Sequence, residues 1–159
     1  MARVSLLTKL KYVGVGEEDL LTVYKLFIRS CLEYCSVVFH ASLTQEQTDM
    51  IERVQKVCLR VLLSDKYTDY SSALLHFNIT SLFDRRQKRV LDFSYRALKH
   101  PQHKQLFPIS DKFTNSVHNI RNQEKFSVNF AHTEAYKQSF LPNAQRRLNE
   151  EYFKERNDY

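Results

Sequence analysis

The chain has 159 residues, 43% of them hydrophobic, and a net charge of +6 from 24 Lys and Arg against 18 Asp and Glu. That length suits one domain with a buried core, and the composition excludes a disordered or collagen-like chain. Only two Gly and three Pro are present, too few for a fold of many tight turns, so long helices are favoured over short strands.

Residues 2–13 read as a helix, with Val4, Leu7, Leu10 and Lys11 at helical spacing and Gly14 placed to end it in a left-handed conformation. Gly16-Glu17-Glu18-Asp19 opens the next element, its acids complementing the positive end of a helix dipole. Residues 17–39 carry Leu20, Val23, Tyr24, Phe27, Cys31, Tyr34, Cys35 and Val38, with a second stripe of Leu21, Ile28 and Leu32. A helix apolar on most sides is buried, which predicts a central core helix here. Lys25 and Arg29 take its polar side.

Thr44-Gln45-Glu46-Gln47 has the form of a capping box. The helix that follows, to about Leu63, is predicted to bury Met50, Ile51, Val54, Val57, Cys58, Val61 and Leu62 and to expose Arg53, Lys56 and Arg60. A short helix over 68–77, capped by Thr68, comes next. Ser81-Leu82-Phe83-Asp84 then starts a helix that Pro101 ends, with Phe83, Val90, Leu91, Ser94, Tyr95 and Leu98 predicted inside. Beyond residue 101 the helical rhythm fades. Phe126, Val128 and Phe130 alternate with polar residues, which fits one short edge strand. Ser139–Leu148 reads as a last helix, and the charged 150–159 tail as frayed. The expected fold is a mainly α, single-domain bundle of about five helices over 1–100, with a less regular extension packed on it over 101–149.

No motif here supports catalysis, a metal or a cofactor. Gly14-Val15-Gly16 lacks the length and the Lys-Ser/Thr of a phosphate loop. The three cysteines, Cys31, Cys35 and Cys58, form no CxxC pair and are odd in number, so they are expected in the core of a protein from a reducing compartment. Cys31, Cys35 and His40 lack a fourth ligand, and Pro101 breaks the helix that His100 and His103 would need. Asp65-Lys66-Tyr67-Thr68-Asp69 sits at a helix boundary and does not form the aspartate pair of a two-metal site. No apolar run approaches the roughly 18 residues that cross a bilayer, and no targeting signal is seen, so the expected setting is intracellular, cytoplasm or nucleus.

Charge gives the remaining signal. Residues 81–100 hold six cations against two acids. Arg53, Lys56 and Arg60 form one helical row, and Arg85, Arg89 and Arg96 another. Such rows can track a phosphate backbone, or they can be solvated faces balanced by Glu52 and Asp92. Charge alone leaves both open.

An ordered series of segments resembles LINE-type (non-LTR) retrotransposon reverse transcriptases, just after the palm. It runs from Leu7-Thr8-Lys9-Leu10-Lys11-Tyr12-Val13-Gly14-Val15 and Glu18–Tyr24 through Phe27–Cys35 and Val38-Phe39-His40. It continues in Ile51–Arg60, Tyr67-Thr68-Asp69-Tyr70, Ala73-Leu74 and Leu82-Phe83-Asp84-Arg85-Arg86, the last similar to a Leu-x-x-Arg-Arg element. His118-Asn119-Ile120-Arg121-Asn122, Thr133-Glu134 and Ser139-Phe140-Leu141-Pro142 extend it over nearly the whole chain. The chain departs from the family in having no Trp, with Phe39 where the family commonly has one, and in carrying His132 where an Arg is frequent.

The resemblance implies the thumb and the region downstream of it. Fingers, palm and catalytic aspartates would lie before residue 1, so the chain is expected to be a truncated copy or a fragment, not an enzyme by itself. It further implies binding of RNA or an RNA–DNA hybrid, with Arg53, Lys56, Arg60, Arg85, Arg86, Lys88, Arg89 and Arg121 as phosphate contacts. About six contacts acting together would make affinity fall by roughly 10³ between low and physiological salt. The alternative is a helical interaction module or a retrotransposon relic, with the stripe of Leu6, Leu10 and Val13 as an apolar face for self-association or for a palm-like partner.

Overall fold

The computed structural model describes residues 2–115 and 124–157. The chain is mainly α, as expected. In order come α1 (Ala2–Tyr12), α2 (Glu17–Val23), a π-helical turn (Tyr24–Arg29), α3 (Ser30–Leu32), α4 (Ser36–Phe39), a 3-10 turn (His40–Ser42), α5 (Gln45–Leu63), a second 3-10 turn (Ser64–Lys66) and α6 (Tyr70–His76). Then follow α7 (Leu82–Lys99), a 3-10 turn (Lys104–Leu106), α8 (Asp111–Thr114), α9 (Glu134–Lys137) and α10 (Phe140–Asn157). Six of these helices have seven residues or more among the described residues, so the expected five was a loose count.

Two compact units make up the chain: Met1–Ser36 with Leu43–Arg86, and Val37–Ser42 with Gln87–Tyr159. The division falls inside α7 and not at the expected residue 100, because the second half of α7 belongs to the packing of the C-terminal segments.

In the first unit α5 is the central element. Its Cys58 and Leu62 join Leu7, Leu20, Tyr24 and Ile28 in one cluster, while Leu59 and Leu63 join Ala73 in another. The capping box forms as read: Gln47 N donates to Thr44 Oγ1 at 3.2 Å, and Thr44 N to Gln47 Oε1 at 3.0 Å. The buried face is rotated from the one predicted. Thr48, Glu52, Gln55, Cys58, Leu59, Leu62 and Leu63 are inside, whereas Met50 and Val57 are exposed.

The long helix expected over 17–39 is broken. The π-helical turn, then a reversal at Glu33–Cys35 with Cys35 at φ 52°, interrupt it. Leu26, Phe27, Tyr34 and Val38 are therefore exposed, and so are Cys31 and Cys35, leaving only Cys58 in the core. Gly14 ends α1 at φ 92° as anticipated. The cap of α6 is Asp69, which accepts from Ser72 N at 2.9 Å, and not Thr68.

The second unit packs Val90 and Ala97 of α7 with Phe107, Phe126, Ala144 and Leu148. Ser94 is buried as predicted, but Phe83, in the first unit, and Tyr95 are exposed. Among the described residues no strand forms at 126–130. The segment makes one antiparallel bridge, Ile109 with Phe126. Backbone groups of Phe126 and Asn129 go to side chains of α10. Asn149 Oδ1 accepts from Phe126 N at 2.8 Å, its Nδ2 donates to Phe126 O at 3.0 Å, and Gln145 Oε1 accepts from Asn129 N at 2.8 Å. α10 continues as helix to Asn157, where a frayed tail was expected.

Candidate nucleic-acid interface

Arg53, Lys56 and Arg60 are all exposed on α5. Their spacing of three and four residues sets them on one face, over about 10 Å of helix. No carboxylate pairs with them among the described residues. Two of them are held by aromatic rings: Lys56 Nζ lies 5.1 Å from the centroid of Tyr70, and the guanidinium of Arg60 lies 5.2 Å from that of Tyr67. These cation–π contacts restrict the side chains but leave their N–H donors free to meet an oxyanion.

The Arg85-Arg86 pair behaves differently. Arg85 Nε donates to Glu33 Oε1 at 2.5 Å and Nη2 to Oε2 at 3.3 Å, a bidentate pair with a carboxylate whose side chain is only 2% exposed. That bond holds the Arg85 guanidinium above its ordinary pKa. Arg86 is fully buried, and its three guanidinium nitrogens have no hydrogen-bond partner in the described structure. Burial draws its pKa down, while the charges of Glu52 and Glu33 act in the opposite sense. Neither arginine is presented to a surface phosphate. Arg86 has no exposed atom to offer, and Arg85 already neutralises a buried acid.

Glu52 organises this interior. Its carboxylate accepts from Leu82 N at 3.1 Å and Phe83 N at 3.3 Å, and from the hydroxyl of Tyr70. It thus satisfies the first free N–H groups of α7, where a negative charge also meets the positive end of the helix dipole. Ser81 completes the cap by accepting from Asp84 N at 3.0 Å. Gln55 links the rest, accepting from the Tyr24 hydroxyl at 2.5 Å and donating to Tyr70 Oη at 2.8 Å and Thr80 O at 3.1 Å. Burial, then the bond to Glu52, push the Tyr70 phenol well above its usual range.

Sequence reasoning did not find Glu33, Glu52 or Gln55. A signal existed for two of them: Thr48, Glu52, Gln55, Leu59 and Leu62 recur at steps of four and three, a stripe as regular as the apolar one beside it.

Compared with known proteins, the chain matches no family, no curated protein and no solved structure. The placement of the remaining candidates rests on geometry. Lys88 is exposed and Arg89 half-buried, both in the second unit. Arg121 lies outside the described residues, as does the His118–Asn122 motif. Among the described residues no three His, Cys, Asp or Glu gather as metal ligands, and no helix is long and apolar enough to cross a membrane.

Proposed function

We propose that the chain is a non-catalytic, intracellular nucleic-acid-binding module that holds RNA or an RNA–DNA hybrid by its phosphates, like the thumb of the LINE-type reverse transcriptases its sequence resembles. The carrying observation is the face of α5: Arg53, Lys56 and Arg60 are exposed in one row, without carboxylate partners among the described residues. The excess positive charge of the whole chain supports the same reading. So does the ordering of Lys56 and Arg60 on tyrosine rings, which lowers the entropy lost on binding.

Contacts of this kind position a backbone and carry no base code, so binding is largely independent of sequence. The test is fluorescence anisotropy with labelled hybrids of unrelated sequence at low salt. Changing Arg53, Lys56 and Arg60 together to Ala lowers affinity at least about tenfold for every sequence. Unchanged affinity in the folded triple variant would refute the assignment to α5.

A further inference from the structure

Between α1 and α5 lies an apolar groove of about 240 Å³, walled by Val4, Met50, Val54 and Val57 with Arg53 at its edge. Met50, Val54 and Val57 are spaced by four and three residues along α5, so their side chains form one track. Met50 is 52% exposed and Val57 37%. Val4 also borders a wider depression of about 790 Å³ along α1, where Lys9, Tyr12 and Val13 stand at the surface. Tyr12 and Val13 are 93% and 80% exposed. Two apolar recesses that share Val4 as a wall offer places for the side chains that an amphipathic helix presents a turn or two apart.

The charges on the rim select the partner. Lys9 and Arg53 border the recesses, and Arg60 follows Arg53 two turns on along the same side of α5. α1 contains no acid. The exposed acids of α5, Glu46 and Asp49, lie one turn before Met50 and Arg53 and so flank only the N-terminal end of the groove, with Asp49 bonded to Gln45 at 3.0 Å; the basic rim is the opposite end, toward Arg60. We infer that this groove seats an amphipathic helix of another protein, with large aliphatic residues facing the recesses and acidic residues flanking them toward Arg53 and Arg60. A second copy of the chain is disfavoured, since it would bring the same basic rim and a net charge of +6 against its own kind. A phosphate backbone has no aliphatic group to place in the recesses, so the inference does not depend on nucleic-acid binding.

The test uses the full chain and a labelled peptide of about 18 residues, enough for five helical turns, with Leu at steps of four and three and Glu between them. A scrambled peptide of equal composition serves as the control. The designed peptide binds about tenfold or more tightly than the scramble, and Met50→Ser with Val57→Ser removes that advantage. Both positions are exposed, so helical circular dichroism and hybrid binding stay at wild-type levels. Equal binding of the scramble would show attraction by charge alone and overturn the inference, as would a double variant that binds the designed peptide like the wild type.

Discussion

Arg85 and Arg86 show how one type of side chain takes opposite roles at neighbouring positions. In the sequence they belong to a dense basic segment, whose charge alone leaves phosphate contact and a solvated face open, and to a Leu-x-x-Arg-Arg element, whose resemblance implies contact with a nucleic acid. In the structure the partly exposed Arg85 pairs with the buried Glu33, and the buried Arg86 sits in the field of Glu33 and Glu52, so the two belong to one largely interior charged set. Removing one member of such a set leaves an uncompensated charge inside, a loss of about 3–5 kcal/mol. Glu52→Gln is therefore expected to destabilise by about 3 kcal/mol or more in urea unfolding, whereas Arg86→Met, which removes three buried donors that have no hydrogen-bond partner, should cost less. The double variant should lose less than the sum by about 1 kcal/mol or more, because each change removes the charge that the other strands. Additive losses would mean that Glu52 and Arg86 do not act on each other. Local periodicity could not reveal this set, since Glu33 precedes Arg85 by 52 positions and pairs with it only through the fold.

The cysteines were misread for a related reason. Cys31 and Cys35 sit in an apolar pattern, but both are exposed, Cys31 just after the π-helical turn and Cys35 in the reversal that follows. Burial pushes the Cys58 thiol up to about 11, so it is shielded both sterically and by its charge state. Titration with a thiol reagent at pH 8 should modify two thiols in the native protein and the third only after denaturation. Reaction of all three at one rate in the native state would contradict the burial of Cys58.

Among the elements, two ends were legible, the Thr44 cap and the Gly14 stop, while the cap of α6 and the buried face of α5 were not. The capping box at Thr44 and the left-handed Gly14 depend on a few adjacent residues, and both stand as read. The buried face of α5 was misjudged because apolar residues were counted, whereas the fold buries Glu52 and Gln55 and satisfies them with Tyr70, Tyr24 and the start of α7. The alternation at Phe126, Val128 and Phe130 was expected to form an edge strand, but among the described residues it makes one bridge, and Phe126 and Asn129 bond instead to Asn149 and Gln145, which lie one turn apart on α10. Asn149→Ala should leave the N–H and C=O of Phe126 without these partners and destabilise the second unit by about 1–3 kcal/mol. Hydrogen exchange at the Phe126 amide would speed up by about tenfold or more. An amide as protected as in the wild type would show that the clamp does not hold this segment.

For the whole molecule, mainly helical character followed from the scarcity of Gly and Pro, and the structure agrees. The eight cations expected on a phosphate-binding surface do not share one face in the described structure. Of the eight candidates, Arg85 and Arg86 are committed to the interior, Lys88 and Arg89 belong to the second unit, and Arg121 is outside the described residues. Three cations remain on α5 as one row within the first unit. Their electrostatic signature is correspondingly weaker than the roughly 10³ that six contacts would give.

The most direct test is the slope of log affinity against log salt for an RNA–DNA hybrid, in the wild type and in the Arg53, Lys56 and Arg60 triple Ala variant. Three phosphate contacts contribute a slope of about −2.7, or a fall of about fortyfold between 50 and 200 mM salt. The account predicts that the variant loses this slope while remaining folded. Equal slopes in the two proteins, or no binding by the wild type at 50 mM, would contradict the assignment of nucleic-acid binding to α5.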